Sequence, residues 1–223
     1  FKTGLGLKKR PRIISFSNNP YLQNSNLLGV LFDNISNQVV IKLQYHTFTD
    51  KETREICFHP YLLKQYNNRW YLIGAADDDG KILNFALDRI DSVTALPEMK
   101  YKPCNEDLAD RFEDIIGVTL YEDRDIEHIL FWVSNRSKDY VGTKPIHGSQ
   151  CQYKNEKDEE FRRQYPSLNE GAFFSIDCIP NYELIRELCS FGKDLLVMEP
   201  KSIQDDVFHH TQQMYEDYLG IRT

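Results

Sequence analysis

Between residues 39 and 96 the chain reads as a run of short strands broken by turn residues, and this constrains its fold more than any other feature. Strand candidates fall at 39–45, 54–59, 61–66, 69–75 and 82–87, with 88–93 closing the series. The first alternates β-branched and polar side chains. Asp50-Lys51-Glu52, Asn67-Asn68 and Asp77-Asp78-Asp79-Gly80 are turn material between strands, and His59-Pro60-Tyr61 is expected to break the second candidate from the third. Short strands at this spacing indicate a small meandering barrel rather than a parallel sheet.

The flanking segments differ. Residues 12–16 are rich in Ile and read as a short edge strand, punctuated by Asn18-Asn19-Pro20. Ser25 is expected to cap a helix carrying Leu27, Leu28, Leu31 and Ile35 on one face and ending near Asn37. After Pro97 a helix is expected at 106–115, stopped by Gly117. A strand at 126–133, a short helix at 136–141 and strands at 150–154 and 172–179 follow, with 155–170 acidic and loop-like. Asn181 caps a helix bearing Leu184, Ile185 and Leu188 that Gly192 ends, 195–198 is a strand, Pro200 breaks it, and Ser202 starts a last helix to about Leu219. The resulting order, β-α-β-β-α-β plus a terminal helix, is the split βαβ arrangement.

Charge divides the chain at the same place. The 223 residues carry a net charge of −7, but residues 1–96 balance at +3 and residues 97–223 at −10. The excess at the front lies in Lys8, Lys9, Arg10 and Arg12, a short basic run that reads more readily as a solvated linker than as a binding site. No apolar run reaches the roughly 18–20 residues of a membrane span, and no signal-peptide pattern opens the chain. Five scattered cysteines without a C-x-x-C spacing argue against a disulfide framework and for a reducing cytoplasm. Phe1 is not an initiator Met, and a segment upstream is expected.

Signatures of catalysis are absent. There is no Gly-rich phosphate loop, no H-E-x-x-H and no G-x-S-x-G, so neither an enzyme nor a cofactor is expected. Cys57 and His59 alternate on a strand and could share a face, but two ligands do not make a metal site. What stands out is a set of cationic and aromatic side chains on the strands: Tyr45, His46, Arg54, His59, Tyr61, Arg69, Tyr71 and Arg89. Guanidinium forks grip anionic oxygens and aromatic faces stack on bases. Equally, the Tyr rings could fill a core and the arginines could pair with Asp88 and Asp91. Spacing leaves both readings open.

Arg69-Trp70-Tyr71-Leu72-Ile73-Gly74 bears on that choice. It follows Tyr45, Arg54 and His59-Pro60-Tyr61-Leu62, and precedes Phe85-Ala86-Leu87-Asp88-Arg89-Ile90. The ordered set closely resembles the WYL domain family. Residues 139–150, with Thr143-Lys144-Pro145-Ile146-His147-Gly148-Ser149-Gln150, and the segment 191–200 resemble the C-terminal extension called WCX.

The resemblance implies an α+β protein: a small SH3-like or Sm-like β-barrel (WYL) followed by a ferredoxin-like α/β domain (WCX). Residues 1–22 would be a leading segment or linker from an N-terminal DNA-binding domain, 23–98 the barrel, 99–124 a linker with a short helix, and 125–223 the WCX domain. Such proteins are typically bacterial transcriptional regulators with an N-terminal winged helix-turn-helix, and the barrel is a sensor of an anionic ligand. The implied ligand-facing residues are Tyr45, Arg54, His59, Tyr61 and Arg89, with Tyr71 nearby and Trp70 in the core. Leu83 and Ala86 stand where family members often carry arginine, which favours a mononucleotide or a stacked ligand over a polyanion. The implied partners are a nucleotide or short single-stranded nucleic acid, operator DNA through the upstream domain, and a second copy in a homodimer. The competing reading is a structural dimerisation or protein-interaction module without a ligand.

Overall fold

Asn67 and Asn68 both take positive φ, 46° and 58°, the backbone of a tight hairpin turn whose twist matches that of its strands. The turn sets the register of the first sheet in a computed structural model that describes residues 24, 26–47, 52–168 and 170–222. The chain divides into two units, Phe1–Tyr101 and Lys102–Thr223. The expected strand at 12–16, the Ser25 cap and the basic run at 8–12 lie outside the described residues.

In the first unit, helix α1 (Leu27–Ser36) precedes strands β1 (Val40–Tyr45), β2 (Arg54–Tyr66), β3 (Arg69–Ala76) and β4 (Ile82–Ala86). A 3₁₀ turn, Leu87–Arg89, then leads into β5 (Ile90–Leu96). The strands form one antiparallel sheet in the order β4-β3-β2-β1-β5. Residues directly opposite share a face, so Ile41, Leu43 and Tyr45 of β1 lie on the same side as their partners Phe58, Ile56 and Arg54 of β2. Ile41, Leu43, Tyr45 and Phe58 make the core with Leu72, Phe85, Leu87, Ile90 and Leu31 of α1; Leu27, Leu28, Ile35 and Ile56 pack against it half-buried, and Arg54 is exposed at its end. Trp70 packs against this core from the same face of β3 as Leu72.

Two expectations change here. Pro60 does not end a strand. β2 runs through it for 13 residues, with a register shift between Pro60 and Leu62. A proline has no N–H to give a ladder, and a bulge is where a strand tolerates that loss. The expected barrel is also an open sheet: β4 and β5 are its edges, with no ladder between them among the described residues. The 3₁₀ turn carries the chain directly from one edge to the other, and the His46 N–H donates to the Arg89 carbonyl at 3.2 Å beside it. The edges are thus brought together by a turn rather than zipped along their length.

The second unit contains α2 (Leu108–Arg111), β6 (Glu127–Ser134), α3 (Lys138–Thr143), β7 (Cys151–Gln152), α4 (Asn155–Gln164), β8 (Gly171–Cys178), α5 (Tyr182–Ser190), β9 (Leu195–Glu199) and α6 (Lys201–Arg222). Its antiparallel sheet has the order β7-β8-β6-β9. Both faces of β6 are covered, which is why it reads as continuously apolar rather than alternating. Ile129, Phe131 and Val133 are fully buried on one face. On the other, Leu130 and Trp132 pack with Phe173 and with Phe161 of α4.

Helix α4 is a correction to the expected loop at 155–170. Its helical signal is electrostatic rather than apolar: Lys157–Glu160 (2.9 Å) and Arg162–Asp158 (2.6 Å) pair one turn apart, and Phe161 is its single buried residue. The helix expected at 106–115 shortens to Leu108–Arg111, capped by Asp107, whose carboxylate accepts the Ala109 N–H at 2.9 Å. Beyond it the chain leaves the helix so that Phe112, Ile115, Ile116 and Val118 can all be buried. Much of the segment read as a linker therefore packs within the second unit. No helix among the described residues is long and apolar enough to cross a membrane.

Candidate functional site

Tyr45 ends β1 on the core face of the first sheet, at the end where Arg54 of β2 is its cross-strand partner. Its ring meets Phe85 edge-on, with centroids 4.7 Å apart and planes at 63°. The 3₁₀ turn after β4 brings Arg89 back over the same ring, its guanidinium carbon 5.2 Å from the centroid, within cation–π range. Asp88 beside it pairs with Arg69 at 3.1 Å through Oδ2, while its buried Oδ1 makes no hydrogen bond among the described residues. Tyr45 is only 7% exposed. Burial holds its phenol above the ordinary tyrosine value and the Asp88 charge adds to that, against the opposing pull of Arg89, an Ala86 backbone hydrogen bond and Arg69.

Just outside this cluster, Asp91 faces His46, with Nδ1 and Oδ1 3.0 Å apart, and Oδ2 accepts from the Thr53 hydroxyl at 3.4 Å. Asp88 and Asp91, the two carboxylates that sequence reading offered as partners for the arginines, are thus bonded to Arg69 and His46 respectively.

The remaining expected residues lie elsewhere. His59 alternates with Phe58 and falls on the opposite face of β2, opposite Ala75. It is fully buried, with Nε2 3.0 Å from Oδ1 of Asp77 and its ring 5.6 Å from Tyr101. Tyr61, in the bulge, places its ring 6.0 Å from the same Tyr101, whose hydroxyl donates to the Pro60 carbonyl at 2.7 Å. Tyr71 also lies on that opposite face, between Lys64 and Ala86, because its neighbours Trp70 and Leu72 take the core side. The six residues therefore form two groups, Tyr45–Arg54–Arg89 on one face and His59, Tyr61 and Tyr71 on the other. Asp77 and Tyr101 were not singled out from sequence. Asp77 opens an acidic turn, and Tyr101 lies beyond the apparent boundary at Pro97, so nothing local marks either as a partner of His59.

Among the described residues no three or more His, Cys, Asp or Glu side chains are grouped to hold a metal ion. Cys57 shares the outer face of β2 with His59 and is opposite Lys42. Cys178 is fully buried at the end of β8, and burial, with the charges of Asp177 and Glu127, pushes its thiol up to about 12. It stays protonated across the neutral range and is chemically inert there. Iodoacetamide at pH 8 is expected to modify exposed Cys151 while leaving Cys178 unlabelled until denaturant is added, read by peptide mass spectrometry. Equal labelling of the two in the native protein would contradict this burial.

Comparison with known proteins places the first sheet. Residues 26–95 match the model of the WYL domain, and the motif set carried by Tyr45, Arg54, Trp70-Tyr71-Leu72 and Phe85–Ile90 lies within that matched stretch. No curated protein sequence matches the chain. Among solved structures, the chain is similar to Proteasome accessory factor B/C (PafBC) of Arthrobacter aurescens, at 13% identity and a TM-score of 0.37, covering 82% of this chain and 26% of that one. It is also similar to a CRISPR Cas-related protein, at 15% identity and a TM-score of 0.48, covering 85% of this chain and 50% of that one. The chain thus spans a quarter and a half of the lengths of these two proteins.

Proposed function

We propose that this WYL-domain chain is the ligand-sensing part of a bacterial transcriptional regulator, binding a nucleotide or short single-stranded nucleic acid without catalysing a reaction. The carrying observation is the Arg89 guanidinium stacked on Tyr45 with Arg54 as its cross-strand neighbour. Arg54 is exposed and can approach a phosphate, and the buried Oδ1 of Asp88 is an acceptor for a base or sugar donor. In this reading the first sheet is a partly open Sm-like barrel. The β7-β8-β6-β9 order supports reading the second unit as a ferredoxin-like WCX domain. Ligand binding favours one arrangement of the regulator over another and so biases DNA binding by an upstream helix-turn-helix domain in a cytoplasmic homodimer.

The test is binding of labelled mononucleotides and short single-stranded DNA to the 223-residue chain, followed by fluorescence polarisation and thermal shift. Binding that weakens with salt and falls at least tenfold in the Arg54→Ala, Arg89→Ala double variant, whose circular dichroism is unchanged, is the expected result. No binding and no thermal shift at millimolar ligand would overturn the nucleotide reading.

One observation favours the second reading, a structural module. Tyr45 is nearly buried against Phe85, as a core tyrosine would be. In that case Tyr45→Phe lowers stability while no nucleotide or oligonucleotide changes the melting temperature.

A further inference from the structure

Strand β1 ends at Tyr45, and the next residue, His46, stands at the rim of the Tyr45–Arg54–Arg89 cluster. It lies outside the six residues that the family motif implies. Its N–H donates to the Arg89 carbonyl, and its ring is 6.4 Å from that of Tyr45 with the planes 27° apart. Its Nδ1 is 3.0 Å from Oδ1 of Asp91. Asp91 is free to turn there because β5 shifts register against β1: Gln44 faces Ser92 and Tyr45 faces Ile90, which leaves Asp91 out of the ladder. A bulge of this kind re-aims a side chain. The other oxygen of Asp91 accepts from Thr53, the neighbour of Arg54. A carboxylate accepts hydrogen bonds and gives none, so the hydrogen between the two side chains is on Nδ1. Neutral imidazole carries one N–H, so a neutral His46 presents a bare lone pair at Nε2. That nitrogen makes no hydrogen bond among the described residues, and the side chain is 37% exposed.

Given the ligand reading above, on which this depends, we propose that His46 is a further ligand contact of the site and takes up a proton as a phosphate binds. A lone pair at Nε2 repels a phosphate oxygen. The imidazolium has a hydrogen on each nitrogen, one for Asp91 and one for the phosphate, and its charge strengthens both bonds. The ionisable groups around the ring are Asp91 of β5, Asp88 and Arg89 of the 3₁₀ turn, Tyr45 beside it, and Glu52 and Arg54 on either side of Thr53. Among them Asp91 is the positioning residue, because its contact decides which nitrogen of the neutral ring holds the hydrogen. An anion at Nε2 favours the imidazolium, so the complex holds more protons than the free chain. Binding therefore tightens as pH falls through the range of about 5 to 8 in which histidines change charge. Arginine keeps its charge throughout that range. The arginines thus supply a constant attraction, and His46 adds a contact that pH turns on.

The test uses the full 223-residue chain and two probes whose phosphates are diesters and do not titrate near neutrality. Pentathymidylate without a terminal phosphate stands for a single strand, and thymidine 5′-methylphosphate for a mononucleotide. Isothermal calorimetry at pH 8, 7 and 6, repeated in two buffers of different ionisation enthalpy, reads affinity and protons together. One proton is worth at most about tenfold per pH unit, and a Kd about fivefold lower at pH 6 than at pH 8 is expected, with net proton uptake. His46→Gln, whose amide donates without taking a proton, should still bind but lose most of the pH dependence. Asp91→Asn, whose amide donates to Nδ1 and lets the neutral ring keep its hydrogen on Nε2, should flatten the profile by raising affinity at pH 8. A merely structural role for the pair would change binding equally at every pH. Binding that is independent of pH, or a slope that His46→Gln leaves intact, overturns the His46 contact and leaves the ligand reading standing. If neither probe binds at millimolar concentration the His46 contact is overturned, and the labelled ligands above decide whether the ligand reading falls with it.

Discussion

Replacing Gly74 by alanine is expected to unfold the first unit at ordinary temperatures or to lower its melting point by more than 10 °C. Gly74 lies in the middle of β3, opposite Pro60 of β2 and Leu83 of β4. A Cβ there would lie 2.7 Å from one carbon of the Phe58 ring and would run into the carbonyl oxygen of His59. The ring is fully buried and packed edge-on against Phe85 at 5.1 Å, so it has nowhere to go. The carbonyl belongs to the backbone of the neighbouring strand, beside the bulge that Pro60 requires. Overpacking a filled core costs about 1–3 kcal/mol, and a clash with backbone falls at or above the upper end. For a unit of this size each ~1 kcal/mol corresponds to roughly 4–8 °C. Urea and thermal unfolding would measure the effect. Phe58→Leu in the Gly74→Ala background should recover only part of the loss, because the His59 contact remains. A variant within about 1 kcal/mol of the parent would contradict the close approach of β2 and β3.

The second large effect is expected at Asn181, in the other unit. Asn181 is 1% exposed, and its side chain serves two purposes at once. Oδ1 accepts the Leu184 N–H at 2.9 Å and so caps α5. Nδ2 donates to the carbonyls of Ile116 at 2.8 Å and Thr119 at 3.0 Å, fastening the loop that follows α2 to the helix start. Alanine removes the cap, worth about 1 kcal/mol, and leaves buried carbonyls without donors at about 1–3 kcal/mol each. A loss of about 3 kcal/mol or more is expected in urea unfolding. Asn181→Asp separates the two roles. A carboxylate keeps the cap but turns an oxygen toward two carbonyl oxygens, so it should be at least as harmful as alanine. If Asp restored parental stability, Asn181 would be an ordinary helix cap and the loop would be held by its apolar residues alone.

Asn181 also shows where sequence reading succeeds and where it stops. Its capping role was legible, because an Asn followed three residues later by the first of a helical apolar series has one local explanation. Its grip on residues 116 and 119 was not, since those carbonyls are more than 60 positions away and carry no side-chain signal. Pro60 is the reverse case. Local rules expected a strand break, but pairing with β3 both before and after Pro60 carried the strand through as a bulge. Residues 155–170 misled differently: α4 is stabilised by pairs of opposite charge one turn apart and by a single buried Phe161, so apolar periodicity found nothing.

For the candidate site, the motif names residues, and only the pairing of strands decides which of them stand together. Tyr45, Arg54 and Arg89 were chosen from a motif, and the register of β1 with β2 and the 3₁₀ turn bring those three into one cluster. His59, Tyr61 and Tyr71 came from the same motif and lie on the opposite face. The parity of β2 sends His59 away from Phe58, and that of β3 sends Tyr71 away from Trp70 and Leu72. Parity was visible in the sequence, but the bulge at Pro60 resets it for every residue that follows in β2, and the bulge appears only when the strands are paired.

The run of short strands between residues 39 and 96 sufficed for an antiparallel sheet with its apolar core, because strand period and turn chemistry are local and each stretch carries its own. Whether the sheet closes was decided in three dimensions. Closure depends on how two edge strands far apart in the pairing order approach each other, and here a three-residue turn joins them without a ladder. The same division holds for α6. Its length is written in consecutive residues, whereas its burial at Ile203 alone is decided by what packs against it within its own unit.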